Sequence, residues 1–282
     1  MTNPIVAILK FALICVVLVI FVLSALLKSI SNSGPGRLQV LQKHSRKFVR
    51  ILLRILGIRV RPLNTSLIPN NALIVSNHSS YLDVLAIHLV CPSTFVTSEE
   101  IGDTPFLGDL CKASGCLFVN RKSIWNLKNE IKHIVAALEV GANVVVFPEG
   151  TTSDGTVVLP FRSSLVEAAT ISGKKVCPIS INYTRINNTA VSLDNRDFVY
   201  WYGKMHFLPH LFNLCRLKSM EISICFNEPL SSSSIRNRKV ITRQSFATIT
   251  KKVDVLPAHK PIEMEKFYGA KVIRPGDFSV AR

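Results

Sequence analysis

From Ile5 to Leu27 the chain is apolar at every position except Lys10 and Ser24, a run of 23 residues. As a helix it would reach ~35 Å, enough to cross a hydrocarbon core of about 30 Å. It lacks the charged leader and the small-residue cleavage site of a secretory signal, so residues 1–30 read as an uncleaved signal anchor. A turn-rich break, Ser31-Asn32-Ser33-Gly34-Pro35-Gly36, separates it from a second pattern. There Leu41, Phe48, Ile51, Leu52, Ile55 and Ile58 recur among Arg46, Lys47, Arg50 and Arg54, which predicts a basic amphipathic helix within residues 37–61. Beyond Leu63 short apolar runs predict strands near 72–76, 94–97, 117–119, 143–147, 176–182 and 220–226. Helical periodicity falls between the earlier ones, near 81–90, 124–140 and 162–172. Such alternation predicts an α/β fold with a mixed, largely parallel sheet flanked by helices over residues 62–230. Residues 231–282, with a serine run from Ser231 to Ser234, give no clear element and no role.

Charge sharpens this picture because it is unevenly placed. The chain carries 34 Lys or Arg against 18 Asp or Glu, yet the first 82 residues hold ten of the cations and no acid. Eight of the ten lie between Arg37 and Arg61, a cluster suited to an anionic bilayer surface. Nucleic acid would attract the same charge, but the segment adjoins the apolar block and offers no interleaved aromatic beyond Phe48. The flanking Lys28, Arg37, Lys43, Arg46 and Lys47 orient the protein by the positive-inside rule: a single pass in the cytoplasmic membrane, with its domain in the cytoplasm. Seven scattered cysteines without a CxxC pair fit reduced thiols there, and neither structural zinc nor disulfides are expected.

Two polar clusters each terminate a predicted buried strand. Asn77-His78-Ser79-Ser80-Tyr81-Leu82-Asp83 follows Ala72–Val75, and Phe147-Pro148-Glu149-Gly150-Thr151 follows Val144–Val146. Ligand sites of α/β sheets collect at such ends. Residues five apart lie about 140° around a helix, so His78 must precede the helix. With Ser79 or Ser80 as N-cap and Asp83 in the first turn, the carboxylate can reach the imidazole, hold its tautomer and leave the second ring nitrogen to accept a proton. The bland alternative is a capping box, Ser80-x-x-Asp83, beside an ordinary loop histidine. Chance alone supplies roughly 0.4 His-x4-Asp pairs in a chain of this composition, so the pair by itself decides little. A Gly-x-Ser-x-Gly elbow, a P-loop and a supported dinucleotide fingerprint are all absent from the sequence. What remains is direct attack by an activated substrate hydroxyl. His206 and His210 have metal-pair spacing, but Pro209 argues against the helix that would bring them together. His44, His88, His133 and His259 read as structural or exposed. Trp201-Tyr202 and Phe207-Leu208 read either as core or as an acyl-chain lining.

Four ordered blocks resemble one family, the membrane-bound glycerolipid acyltransferases typified by 1-acyl-sn-glycerol-3-phosphate acyltransferase. His78–Asp83 is similar to the family's His-x4-Asp block, and Gly115-Cys116-Leu117-Phe118-Val119-Asn120-Arg121 to its second block. Phe147–Thr151 resembles the Phe-Pro-Glu-Gly-Thr block, and Val176-Cys177-Pro178-Ile179 the short fourth one. The resemblance covers roughly residues 70–185. It implies that His78, oriented by Asp83, deprotonates a lysolipid hydroxyl that attacks the thioester of acyl-CoA or acyl carrier protein, with no cofactor. It also implies an acceptor-binding set of Asn77, Arg121, Glu149, Gly150, Thr151 and Arg162. Glu149 either orders its loop through Arg121 or binds an acceptor hydroxyl. Thr152 stands where many members have arginine, and Thr97–Glu100 where a lysine is common, which weakens the match to a phosphate headgroup. The expected acceptor is 1-acyl-sn-glycerol-3-phosphate, with lyso-ornithine lipid or another lysolipid as the alternative. A non-catalytic lipid-binding adaptor is the reading from a different functional class.

Overall fold

The computed structural model describes residues 1–31, 36–120 and 124–257. Two helices open the chain, α1 (Pro4–Ser31) and α2 (Arg37–Leu56). The strands are β1 (Ile58–Leu63), β2 (Ala72–Ser76), β3 (Thr94–Ser98), β4 (Leu117–Val119), β5 (Val144–Val146), β6 (Lys175–Ile186), β7 (Thr189–Ala190) and β8 (Met220–Phe226). Between and after them lie α3 (Tyr81–Val90), the short α4 (Glu99–Gly102), α5 (Leu107–Ala113), α6 (Ile124–Glu139), α7 (Glu167–Ser172), α8 (Phe207–Cys215) and α9 (Arg238–Thr250).

The sheet order is β1-β8-β6-β2-β5-β3-β4, with β7 paired to β6. Pairings along the β6-β2-β5-β3-β4 stretch are parallel, as is β1 with β8, whereas β6 runs antiparallel to β7 and β8. This is the mixed, largely parallel sheet that the sequence predicts, and each of the six expected strands is present. Strand alternation divides the core into two layers. Ile74, Val145 and Ile179 face α1, α2, α3 and α8, while Leu73, Val75, Val144 and Val146 face α6, α7 and α9. Central β2 and β5 are buried at every residue because both faces are covered, and outer β8 alternates buried with half-buried positions.

Several boundaries differ from expectation. The amphipathic segment read as running to residue 61 is helical only to Leu56. Gly57 turns it at φ 73°, and the next six residues are β1, an edge strand. Arg59 and Arg61 belong to the pleat of that strand rather than to a helix face, and Pro62 is tolerated because the strand is an edge. The helix expected over 162–172 is confined to Glu167–Ser172. Pro209 does not prevent α8, since it is the third residue of the helix, where its missing N–H has no intrahelical partner. Residues 238–250, given no element by the sequence pattern, form α9, which covers the second core layer through Ile241 and Ile249. Residues 32–35 of the turn-rich break and 258–282 of the tail, His259 included, lie outside the described residues.

Among the described residues α1 is long and apolar enough to cross a membrane. It is also packed against the domain over most of its length. Thr2 N–H donates to the Arg216 carbonyl at 2.7 Å, and the Lys10 ammonium donates to the Leu217 carbonyl at 2.9 Å. Ala7, Ile14 and Leu18 enter the first core layer, and Phe21 and Ala25 pack with Leu41 of α2. Lys10 thus binds the domain instead of reaching for headgroups. The opposite face of α1 is bare and apolar: Ile5, Leu9, Leu27 and Ile30 are 66%, 63%, 67% and 73% exposed.

The corner at Gly57 generates a stability prediction. A Cβ there would lie 2.5 Å from the Lys218 carbonyl oxygen, in a left-handed conformation that L side chains rarely adopt. Gly57→Ala is expected to cost about 2 kcal/mol or more, lowering the thermal midpoint of the detergent-solubilised protein by roughly 4–8 °C. An unchanged midpoint would show that the corner relaxes freely.

Candidate active site

The two polar clusters meet at the carboxyl ends of the adjacent parallel strands β2 and β5. The chain leaves β2 for α3 on one face of the sheet and leaves β5 for α7 on the other. That divergence opens a crevice between them. His78 sits in the β2–α3 turn, and Ser80 is the N-cap, its hydroxyl accepting from Leu82 N–H. Asp83 in the first turn closes a capping box, so the bland reading of this segment is correct as local structure. It is not an alternative to the catalytic geometry, because the same carboxylate also holds the histidine.

Asp83 is fully buried, and its two oxygens take four hydrogen bonds. Oδ2 accepts from His78 Nδ1 at 2.8 Å, Ser79 N at 2.7 Å and Ser80 N at 3.0 Å, and Oδ1 accepts from the Tyr183 hydroxyl at 2.5 Å. Three of these donors are backbone or phenol groups that can only donate here. The carboxylate sits as an acceptor at the positive end of α3, and Nδ1 of His78 donates the proton of their shared bond. Nε2 is left as the basic nitrogen. The ring lies flat on Phe147, with centroids 3.9 Å apart and planes 15° apart, so both its tautomer and its tilt are set.

Glu149 controls the backbone of the same residue. Its Oε1 accepts from His78 N–H at 2.6 Å and its Oε2 from Leu159 N–H at 2.8 Å. The side chain is buried, and burial pushes its carboxyl well above the ordinary carboxylate range, against the pull of these two N–H donors, with the nearby Asp83 charge adding to the rise. These two bonds order the turn through His78 and Leu159. Asn77 has a similar post: its amide nitrogen donates to the Ile181 carbonyl at 3.0 Å and its amide oxygen accepts from Ile181 N–H at 2.8 Å, clamping the end of β2 to β6. Gly150 turns at φ 78°, and the exposed Arg162 guanidinium lies over it, about 3.5 Å from where a Cβ would be. Arg121 lies outside the described residues.

A cavity of about 310 Å³ opens beside the imidazole. Phe95, Phe147, Val84, Ile101 and Leu107 give it apolar walls, and His78, Ser98, Thr151 and Thr152 give it a polar rim. Trp201 and Tyr202 belong to this lining too. Behind the wall, Tyr81 O–H donates to His210 Nδ1 at 3.0 Å while His210 Nε2–H donates to the Tyr200 carbonyl at 2.9 Å. His210 is a buried bracket, and burial lowers its pKa. Among the described residues no three His, Cys, Asp or Glu side chains converge on a possible metal position.

Tyr183 is the site residue that sequence reasoning missed. It lies 100 residues from Asp83 on β6, and burial raises its phenol pKa strongly, with the Asp83 charge acting in the same direction, so it remains a donor. The available signal was the alternation Ile179-Ile181-Tyr183, which continues the inward face of β6 past the expected end of the strand at 182.

Residues 58–182 match the family model described as Acyltransferase. A lyso-ornithine lipid O-acyltransferase from Brucella abortus is 30% identical over 203 residues, covering 70% of this chain and 76% of that protein. One from Rhizobium meliloti is 31% identical over 206 residues, covering 70% of each. A 1-acyl-sn-glycerol-3-phosphate acyltransferase from Neisseria gonorrhoeae is 36% identical over 115 residues, 41% of this chain and 45% of that one. The crystal structure of the 1-acyl-sn-glycerophosphate acyltransferase PlsC from Thermotoga maritima shares the fold, with a TM-score of 0.65 at 19% identity, covering 89% of this chain and 94% of that one. The four blocks, the extent of these matches and the shared fold lead to one assignment: this chain belongs to the phospholipid/glycerol acyltransferase family and is an O-acyltransferase.

Proposed function

We propose that the enzyme transfers a fatty acyl group from an acyl thioester to the free hydroxyl of a lysolipid, with His78 as general base and Asp83 as its orienting acid. The observation that carries this reading is the 2.8 Å bond from His78 Nδ1 to a fully buried Asp83, at a cavity with apolar walls and a polar rim. The acceptor hydroxyl gives its proton to Nε2 as its oxygen attacks the thioester carbonyl. Collapse of the tetrahedral adduct breaks the C–S bond, and the departing thiolate takes the proton back from the imidazolium, so that ester and free thiol leave a neutral histidine. Asp83 stabilises the imidazolium between the two transfers. Acyl-CoA and acyl carrier protein both supply the thioester, and the basic surface attracts either. Arg121, Arg162 and the Gly150-Thr151 turn hold the acceptor headgroup. Glu149 and Asn77 act on the acceptor through the backbone they fix.

Two acceptors have specific support. The turn glycine under the Arg162 guanidinium suits the phosphate of 1-acyl-sn-glycerol-3-phosphate. The lyso-ornithine lipid enzymes match over 203 and 206 residues, against 115 for the Neisseria protein, and Thr152 and the Thr97–Glu100 stretch stand where cations of the phosphate-binding pattern are missing. The longer match favours lyso-ornithine lipid.

The packing of α1 also bears on its seat in the membrane. Because the domain covers one side of the helix from Thr2 to Ala25, a perpendicular span would carry exposed Arg216 and Lys218 into hydrocarbon. The reading best supported is that α1 lies in one leaflet with its bare face toward the acyl chains. Leu208 and Phe212 of α8 continue that face, Phe212 meeting Phe11 edge-on at 5.6 Å. The cations that follow α1 favour the anionic cytoplasmic leaflet as the one it occupies.

His78→Ala and Asp83→Asn are each expected to lower kcat by about 100-fold or more, measured as diacyl product from purified protein, lysolipid and acyl thioester. Wild-type turnover in either variant would remove the catalytic reading and leave the lipid-binding adaptor. Glu149→Gln replaces one acceptor oxygen with a donor that must face a backbone N–H. A fall in kcat of about 10- to 100-fold with the acceptor KM nearly unchanged is expected if Glu149 positions His78. A rise in KM at constant kcat would instead place Glu149 on the acceptor. In a panel of acceptors, lyso-ornithine lipid is expected to give the highest kcat/KM; preference for 1-acyl-sn-glycerol-3-phosphate would assign the phosphate reading.

A further inference from the structure

The carboxyl ends of β2 and β5 hold the active site, and the segments entering their amino ends border a second concavity. A groove of about 700 Å³ runs between α2 and the segments leading into β2, β3 and β5. One wall, on α2, carries four cations beside Gln39 and Gln42. Lys43, Arg46, Lys47 and Arg50 line it at i, i+3, i+4 and i+7, a single face of α2, and among the described residues none of its lining is acidic. Pro69, Asn70, Pro92 and Asn143 contribute to the facing side.

The groove is built rather than incidental. Arg46 is fixed by its bonds to the Leu89 and Val90 carbonyls at 2.8 and 3.4 Å, where it satisfies the carboxyl end of α3. Asn143 accepts from Ala72 N–H at 3.1 Å and donates to the Pro69 and Pro92 carbonyls at 3.2 and 3.4 Å, locking the three strand entries together. Lys43, Lys47 and Arg50 are exposed along the rim. Like charges three and four apart destabilise a helix, so this stripe opposes the fold unless an anion neutralises it.

We propose that this groove is a second, non-catalytic site that holds the headgroup phosphate of an anionic phospholipid in the surrounding bilayer. The inference rests on the in-leaflet seat of α1 given above. That seat brings α2, packed beside α1 through Phe21, His44 and Phe48, to the depth of the phosphates. The phosphates of a thioester donor are a poorer fit. His78 and Phe147 stand at the other end of the strands, and β2 alone puts ~17 Å of packed core between the two openings. Filling the groove with lipid would clamp α2 against the strand entries and hold the catalytic end at a fixed height over the bilayer.

The test uses full-length protein and vesicles of phosphatidylcholine with or without 20 mol% phosphatidylglycerol (about one lipid in five, ample for surface charge). In Lys43→Gln/Lys47→Gln/Arg50→Gln, affinity for the anionic vesicles is expected to fall at least about tenfold, while binding to pure phosphatidylcholine and turnover in neutral detergent micelles stay at wild-type levels. A control, Arg37→Gln/Arg54→Gln/Arg59→Gln, removes the same charge outside the groove and is expected to lose about threefold or less. Equal losses in the two triple variants would overturn the site in favour of diffuse surface charge. Loss of retention by an acidic carrier protein without lipid, in the groove variant alone, would reassign the groove to the donor. Failure of wild type to bind any vesicle would instead remove the membrane seat itself, and micellar turnover would then still report on the catalytic reading.

Discussion

The candidate site depends on burying one carboxyl group. Asp83 has no contact with water, and a carboxylate taken into a packed core is costly unless every lone pair is answered. Here the answer comes from four donors and the amino end of α3, and the donors divide among three structural duties. The two backbone N–H groups start the helix, the phenol belongs to a strand on the far side of β2, and the imidazole lines the cavity. Local folding, sheet assembly and the setting of the imidazole are therefore joined at one carboxylate, and none can be altered there without disturbing the others.

The same economy of position governs the crevice. Since β2 and β5 are neighbours whose chains depart to opposite faces, the turns that follow them are forced apart while remaining within hydrogen-bonding reach across the gap. Glu149 exploits that reach by holding the backbone of His78 from the other strand. Ser153 N–H donates to the His78 carbonyl at 2.9 Å, and Trp201 N–H to the Ser79 carbonyl at 3.0 Å, so the β2–α3 turn is gripped on both sides. Such a turn is preorganised, and little of the substrate's binding energy is needed to arrange it.

How much of this was legible follows from distance along the chain. His78 and Asp83 are five residues apart at a strand–helix junction, so periodicity, capping and side-chain reach suffice to pair them. Glu149 stands 71 residues from the backbone it holds, and Tyr183 stands 100 from its acid; a single sequence carries no signal that joins them. The central strands were readable because both faces are buried and their composition is unbroken. β1 was not, because an edge strand with a solvent-facing side alternates Arg59 and Arg61 with Val60 and Pro62, and charge then masks the pleat. α9 was hidden by a weakly amphipathic pattern whose few apolar positions, Ile241, Phe246 and Ile249, gain meaning only against β6 and α7.

The ties that Thr2 and Lys10 make to the carbonyls of Arg216 and Leu217 have one more outcome. Helix α1 is not a detachable tether, because Ala7, Ile14 and Leu18 are bricks of the same hydrophobic layer as Leu53, Leu214 and Ile224. Cutting the chain after Ser31 to obtain a water-soluble catalytic fragment would strip a wall from that layer. For this fold the apolar first helix is part of the domain it precedes, and the two cannot be separated without loss of the core.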